Sequence, residues 1–481
     1  MEDSLFDPRV TEQRNPRTAE IDLAGPLEIV DLINAEDRSV PDAVRAEREQ
    51  IARAIEIAVD CFKRGGRLIY VGAGTSGRLG VLDATECPPT FGVDPEMVQG
   101  IIAGGYAALT RSQEGAEDRA EDGATAVDDA KVGPDDFVFG IATSSTTPYV
   151  RGALARAAEL GARTGFLCCT EPGEEMRQLV DVCVVPLVGP EVIAGSTRMK
   201  AGTATKLVLN SLTTGAMIRL GKVYGNLMVD LRAWSEKLVD RAQRIVMAAT
   251  GCSREEALEV IEAGGGSVKR AIVMKGAGLT SELAELYLAE SEGFVRRALE
   301  LAEAVNSSED PSGDPYGCYP AAPPSEEVLE VVRVALRNLP KRIAELTSGV
   351  PDARLRKRPA QDKWCTNEHI EHLIDCDALM ARRIEAILAK QGARFADRDD
   401  EKENRKVFES GAREAAVDAL LRRLTASRST LLAPLQALPV QRWSETGAHE
   451  RYGPISVYQI VRQVIWHDYH HFLGIRRLVS G

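Results

Sequence analysis

The sequence predicts an α/β fold built on a parallel sheet, followed by an all-α four-helix bundle. Three observations carry that prediction. Short, almost wholly apolar segments alternate with helix-forming stretches up to about residue 238. A stretch dense in Pro, Gly, Ser and Asp then runs from Asn306 to Ser325. Beyond it, long segments keep helical periodicity to the end of the chain.

The strands come first. The segments 67–71, 98–103, 137–142, 165–169 and 182–187 are apolar at nearly every position. Strands buried on both faces read this way, whereas a sheet wetted on one side alternates. Intervening stretches such as 148–160 carry Ala, Leu and Arg in helical proportions, as crossovers between parallel strands require. Residues 239–302 switch to helix alone, broken at Gly251 and Gly264-Gly265-Gly266, and read as a small helical appendage. The segment 303–325 has no apolar period and reads as a linker, because it cannot bury enough surface to fold alone. Helices are expected at about 326–347, 366–391, 412–437 and 455–478, the four members of a bundle. The expected organisation is therefore 1–238, 239–302, 303–325 and 326–481.

Composition removes several function classes. A hydrophobic fraction of 44% with 27% charged residues is that of a globular protein, not a disordered or fibrous one. No apolar run approaches the ~20 residues of a membrane helix. The start, Met1-Glu2-Asp3-Ser4, lacks the basic and apolar regions of a signal peptide, so a cytoplasmic protein is expected. A net charge of −13 disfavours nucleic acid as a partner. The nine cysteines are odd in number, scattered and without a Cys-x-x-Cys, so they read as reduced thiols of the core. All six histidines lie between His369 and His471. A general base in the first two-thirds must then be a carboxylate, Lys, Tyr or Cys.

Two loops look built for phosphate. Gly72-Ala-Gly-Thr-Ser-Gly77 follows a strand and opens a helix, matching G-x-G-x-x-G. A dinucleotide site would also need an acid after the second strand, which instead ends Ala103-Gly104-Gly105-Tyr106. Gly74, Thr75, Ser76 and Gly77 fit a terminal phosphate monoester better, with amides and hydroxyls at a helix N-terminus. Thr143-Ser144-Ser145-Thr146-Thr147 repeats the design before Pro148, making Ser144, Ser145 and Thr147 further candidates. Each loop could also be an ordinary helix cap. Candidate acids are Glu86, expected at a helix end before Pro88 and Pro89, and Glu117 in a polar turn. A helix C-terminus disfavours a carboxylate, which suits a general acid, although either residue could be a solvated surface group.

These residues carry a resemblance. Thr11–Pro16, Ile33–Asp37, Gly65–Gly92, Glu114–Asp118, Gly189–Glu191 with Gly195–Arg198, and Gly221–Asp230 resemble N-acetylmuramic acid 6-phosphate etherases, over about residues 8–300. The resemblance implies a sugar isomerase (SIS) fold, a parallel αβα sandwich with a UBA-like helical appendage, and a homodimer. It implies release of D-lactate from C3 of a phosphorylated amino sugar by a carbon–oxygen lyase that eliminates and then hydrates. Glu86 would protonate the departing lactate, and Glu117 would take the C2 proton. The chemistry asks for two proton-transfer groups and no cofactor. One departure stands out, since the family's second loop reads Ser-Gly-x-Thr-Pro and Ser145 takes the glycine's place. A non-catalytic sugar-phosphate sensor and an aldose–ketose isomerase are the alternatives.

A second resemblance covers the bundle. Trp364–Asp375 and Trp466–Ile475 resemble the DinB-like metal-binding four-helix bundles. His467 and His471, four apart on one helix, can face one metal, with His372 as the third ligand. Zinc and nickel both suit imidazole. His369 and His470 are expected to point elsewhere. Solvated histidines on a helix are the alternative.

Overall fold

The computed structural model describes residues 9–230, 236–305, 316, 319–323, 326–397 and 399–480. Most of the expected linker, and Cys318, lie outside the described residues. The chain forms two compact units, Met1–Ile245 and Val246–Gly481. Among the described residues no helix is long and apolar enough to cross a membrane.

The first unit is built on β1 (Leu68–Gly72), β2 (Val98–Ile102), β3 (Phe137–Ile141), β4 (Arg163–Leu167) and β5 (Val182–Val184). All pair in parallel in the order β2-β1-β3-β4-β5. Alternate residues of β1 serve different cores. Leu68 and Tyr70 pack with α3 (Arg48–Lys63), α4 (Gly74–Phe91) and α8 (Lys200–Arg219), while Ile69 and Val71 meet α6 (Pro148–Glu159). Burial on both faces explains the unbroken apolar runs. Along the N-terminal part lie α1 (Pro26–Asp37) and α2 (Val40–Ala46); α5 (Ala120–Asp129) and α7 (Glu174–Leu179) follow, and β6 (Val223–Tyr224) with β7 (Leu227–Met228) makes a hairpin. The strand order reverses between β1 and β3, so the crevice at their C-terminal ends is the place for a ligand. Both hydroxyl-rich loops leave the sheet there, since Gly72 and Ile141 are register partners.

Helix α4 corrects one expectation. It does not end at Glu86 but runs through Pro88 and Pro89 to Phe91, and Gly92 caps it at φ +63° by donating to the Pro88 carbonyl (2.9 Å). Each proline removes one intrahelical donor and crowds the carbonyl four residues back. Buried Cys87 and Phe91 hold the last turn in the core. The helix-end argument for Glu86 therefore lapses.

The second unit holds four long helices, α14 (Glu326–Thr347), α16 (Thr366–Ala389), α18 (Val417–Leu432) and α19 (Val457–Ser480). The third is shorter than 412–437, with single 3-10 turns at Ala412–Glu414 and Ala433–Leu435 on its flanks. Short helices α15 (Asp352–Leu355) and α17 (Asp400–Glu409) and a small sheet of β8 (Arg394–Phe395), β9 (Thr446–His449) and β10 (Gly453–Ser456) complete this part. The appendage helices are α9 (Glu236–Thr250), α10 (Arg254–Ala263), α11 (Val268–Ala277), α12 (Ser281–Glu290) and α13 (Val295–Val305). The division between the compact units falls inside α9, so α10–α13 belong with the bundle. On α12, buried Glu290 accepts from Asn338 Nδ2 (3.1 Å) and lies 2.6 Å from Arg342 Nε, both on α14. Burial pushes its carboxyl up to about 7. The Tyr287 ring meets Tyr469 of α19 at 4.9 Å.

Candidate catalytic and metal sites

The β1 and β3 loops enclose a cavity of about 380 Å³. Gly74, Thr75 and Ser76 line it from the first loop, Ser144, Thr146 and Thr147 from the second. Gly77 and Ser145 are not among its lining residues. Gly77 has another reason to be glycine: a Cβ there would stand 2.7 Å from Ile102 Cγ1 and 2.8 Å from the Gly72 carbonyl oxygen. It lets α4 start hard against the sheet. Ser145 adopts φ +63°. Its amide donates to the Ala142 carbonyl (2.9 Å), closing the turn that a glycine would take without strain.

Glu117 lines the same cavity. The reason is a helix end. Tyr149, the second residue of α6, has no intrahelical acceptor for its N–H, and it donates to the Glu117 carbonyl (3.0 Å). That bond pins the Glu117 backbone beside the second loop. Glu86 lies elsewhere, exposed on α4, in a separate cavity of about 270 Å³ with Leu82, Asp83, Lys206 and Asn210. Buried Asp83 sets this surface by accepting from Tyr70 Oη (2.9 Å) and Asn210 Nδ2 (2.7 Å), and burial raises its carboxyl.

The N-terminal segment closes the first cavity. Arg9 and Glu12 line it, and Arg9 Nη1 donates to Thr146 Oγ1 (3.1 Å). Sequence reasoning used the neighbouring Thr11–Pro16 motif but assigned no role to Arg9 or Glu12.

In the second unit three ring nitrogens converge. His372 Nε2 and His467 Nε2 lie 2.9 Å apart, and His471 Nε2 lies 3.1 Å from His467 Nε2. Nitrogens at tetrahedral positions around zinc sit roughly 3.3 Å apart, given Zn–N bonds of about 2.0–2.1 Å. Cys376 Sγ joins them, 3.5 Å from His372 Nε2 and 3.7 Å from His467 Nε2. The group His372, Cys376 and His467 could hold a metal ion, and the donor set suits zinc or nickel. Cys376 was missed because a lone thiol reads as core, yet it stands one turn from His372 and so shares its face. His369 is the outer partner of His471, with their Nδ1 atoms 2.8 Å apart, and burial takes it down to about 4. His470 stacks on Trp466 at 5.8 Å.

Charge fixes the helices that carry these candidate ligands. Buried Arg428 donates through Nε to Asp377 Oδ2 and through Nη2 to Asp468 Oδ1, each at 3.0 Å. Those acids directly follow Cys376 and His467, so one guanidinium ties α16 to α19 at the ligands' level. Burial pushes Asp468 up to about 6 against the pull of Arg428. A cavity of about 460 Å³ opens beside the cluster, lined also by Arg383, Arg451 and Tyr452.

The fold is that of a SIS-type αβα domain with a cavity at its switch point, followed by a DinB-type bundle. Residues 50–158 match the family described as glucokinase regulatory protein N-terminal SIS domain, and residues 335–475 match the DinB superfamily. The chain is 53% identical over 290 residues to a protein of Synechococcus elongatus named N-acetylmuramic acid 6-phosphate etherase, covering 60% of this chain and 94% of that one. A Salinibacter ruber protein of the same name is 55% identical over 301 residues, 62% of this chain and 96% of that one. A Vibrio cholerae relative, named N-acetylmuramic acid 6-phosphate etherase 2, is 53% identical over 294 residues, 61% and 95%. The chain belongs to the N-acetylmuramic acid 6-phosphate etherase family.

Proposed function

We propose that the chain cleaves the D-lactyl ether of N-acetylmuramic acid 6-phosphate, giving N-acetylglucosamine 6-phosphate and D-lactate. The relatives' identity over nearly their whole length supports the activity. One observation carries the mechanism: Glu117 shares a cavity with both hydroxyl-rich loops. In the open-chain sugar the C2 proton is α to the C1 aldehyde, and Glu117 removes it. The C3–oxygen bond breaks as lactate leaves, with Glu86 donating the proton its oxygen needs. Water then adds at C3 across the double bond, returning a proton to C2. Thr75, Ser76, Ser144 and Thr147 hold the phosphate, with Gly74 shaping the first loop at φ +51°. Such an enzyme is a carbon–oxygen lyase, and its substrate places it in the cytoplasm.

The bundle would hold one divalent ion, zinc or nickel, on His372, Cys376 and His467, with His471 beside His467 as a further ligand. Bound there, the ion would polarise an oxygen or sulfur group entering the adjoining cavity whenever Cys376 yields its position.

The match of residues 50–158 to a regulatory protein's SIS domain favours one other reading, a sensor without turnover. An assay of D-lactate release decides. Wild type should turn over, while Glu86→Gln and Glu117→Gln should each fold and lose a factor of ~10²–10⁴ in rate. A folded wild-type protein that releases no lactate would sink the enzymatic reading. Variants within a few-fold of wild type would remove those glutamates from the mechanism.

A further inference from the structure

We propose that Arg9 is the cation that holds the substrate's phosphate in the cavity between the β1 and β3 loops. This rests on the reading of that cavity as the etherase site.

Charge is the first argument. Among the described residues lining the cavity, Glu12, Glu117 and Asp118 are acidic, and Arg9 is the one lysine or arginine. A phosphate monoester carries about −1.5 to −2 near neutral pH. The N-termini of α4 and α6 together offer roughly one positive charge. Three carboxylates outweigh that, so hydroxyls and amides alone leave the dianion in a net repulsive pocket. A guanidinium halves that deficit, from about −2 to about −1, and matches phosphate geometry with paired donors.

Position is the second. Arg9 Nη1 donates to Thr146 Oγ1 at 3.1 Å, and Thr146 Oγ1 is 3.3 Å from Ser144 Oγ. The guanidinium therefore sits on the same hydroxyl row that would receive the phosphate.

That position is built, not incidental. Residues 11–18 are strapped onto the loop before α8. The Thr11 carbonyl accepts from Gly195 N (3.1 Å), Asn15 Nδ2 donates to the Pro190 carbonyl (3.3 Å) and Thr18 Oγ1 to the Val192 carbonyl (2.8 Å). Arg17 Nη2 donates to Glu36 Oε2 (2.8 Å), which also accepts from buried Lys200 Nζ (2.8 Å). The Arg17 guanidinium holds the Glu36 carboxyl down to about 2, so this anchor keeps its charge throughout the working pH range. Thr11, Asn15, Glu36 and Gly195 of these motifs thus help to hold the N-terminal segment beside the cavity. Arg9 stands two residues before that strap.

The test compares full-length wild type with Arg9→Ala and Arg9→Lys. Arg9→Ala should raise KM for N-acetylmuramic acid 6-phosphate roughly 10- to 100-fold, the worth of a charge-assisted hydrogen bond. Because the phosphate is remote from C2 and C3, kcat should change little. Inorganic phosphate should raise the melting temperature of wild type, and that shift should shrink in Arg9→Ala and largely return in Arg9→Lys. The melting arm needs no turnover, so it judges Arg9 even if the wild type released no lactate. The proposal is overturned if KM and the phosphate-induced shift in Arg9→Ala stay within roughly twofold of wild type. It is equally overturned if kcat and the ligand-free melting temperature fall while phosphate binding is unchanged, since that marks a strap residue only.

Discussion

Ser145 stands where the resembling enzymes carry glycine, and the backbone shows what the exchange costs. At φ +63° an L-residue pays roughly 1–2 kcal/mol, because its Cβ crowds the following carbonyl. Glycine removes that strain but gives back about 0.5–1 kcal/mol of unfolded-state entropy. Strain wins by a small margin. Ser145→Gly should therefore stabilise the protein by about 0.5–1 kcal/mol, which for a unit this size means a rise of about 2–4 °C or less. Calorimetry on the two proteins measures it. A fall in melting temperature would mean that the Ser145 hydroxyl stabilises the loop by more than its backbone costs.

At the scale of elements, the sequence was most legible where burial was complete. The five strands read correctly to within a few residues, because a parallel sheet covered on both faces leaves few polar positions, such as Gln99 and Arg163, to blur the pattern. Helix α4 misled through Pro88 and Pro89, whose local cost is overridden by the tertiary packing of Cys87 and Phe91. The two- to four-residue strands β8–β10 carry too little pattern to be seen. Within the sites, hydroxyl loops and paired histidines were visible because their chemistry is local. The packing of α12 on α14, and Cys376 beside the histidines, depend on how helices meet and were not. The metal reading follows from that meeting of α16 and α19. Full-length protein should retain about one zinc or nickel per chain after dialysis, and His467→Ala/His471→Ala should lose it while keeping its helical circular dichroism. Cys376→Ser should keep the ion more weakly and, loaded with cobalt, lack the thiolate charge-transfer band of wild type. Affinity should fall as pH drops through about 6.5, where free imidazole protonates. A double variant with a full metal equivalent would return the histidines to ordinary bundle residues.

At the scale of the whole molecule, the two glutamates pose a problem of reach. Thr75 lies at the start of α4 and Glu86 eleven residues on, which at 1.5 Å per residue is roughly 16 Å along the helix. A sugar anchored by its phosphate at Thr75 cannot present C3 to the Glu86 of the same chain, and the two glutamates line separate cavities. The surface around Glu86 suggests the remedy. Leu82, one turn before it, is 51% exposed, and near the N-terminus Leu23, Leu27 and Val30 are 79%, 77% and 61% exposed. Where such apolar surface is contiguous it marks an interface. The homodimer that the resemblance implies would answer the problem of reach if each chain lent Glu86 to the other's Glu117 cavity. Mixing separates this arrangement from a site made within one chain. Glu86→Gln and Glu117→Gln homodimers should each be inactive. After co-refolding equal amounts, half the dimers are mixed, and each mixed dimer has one intact site of two. Lactate release should then recover to about a quarter of wild type. If both glutamates act within one chain, every chain in the mixture still lacks one of them, and no activity returns.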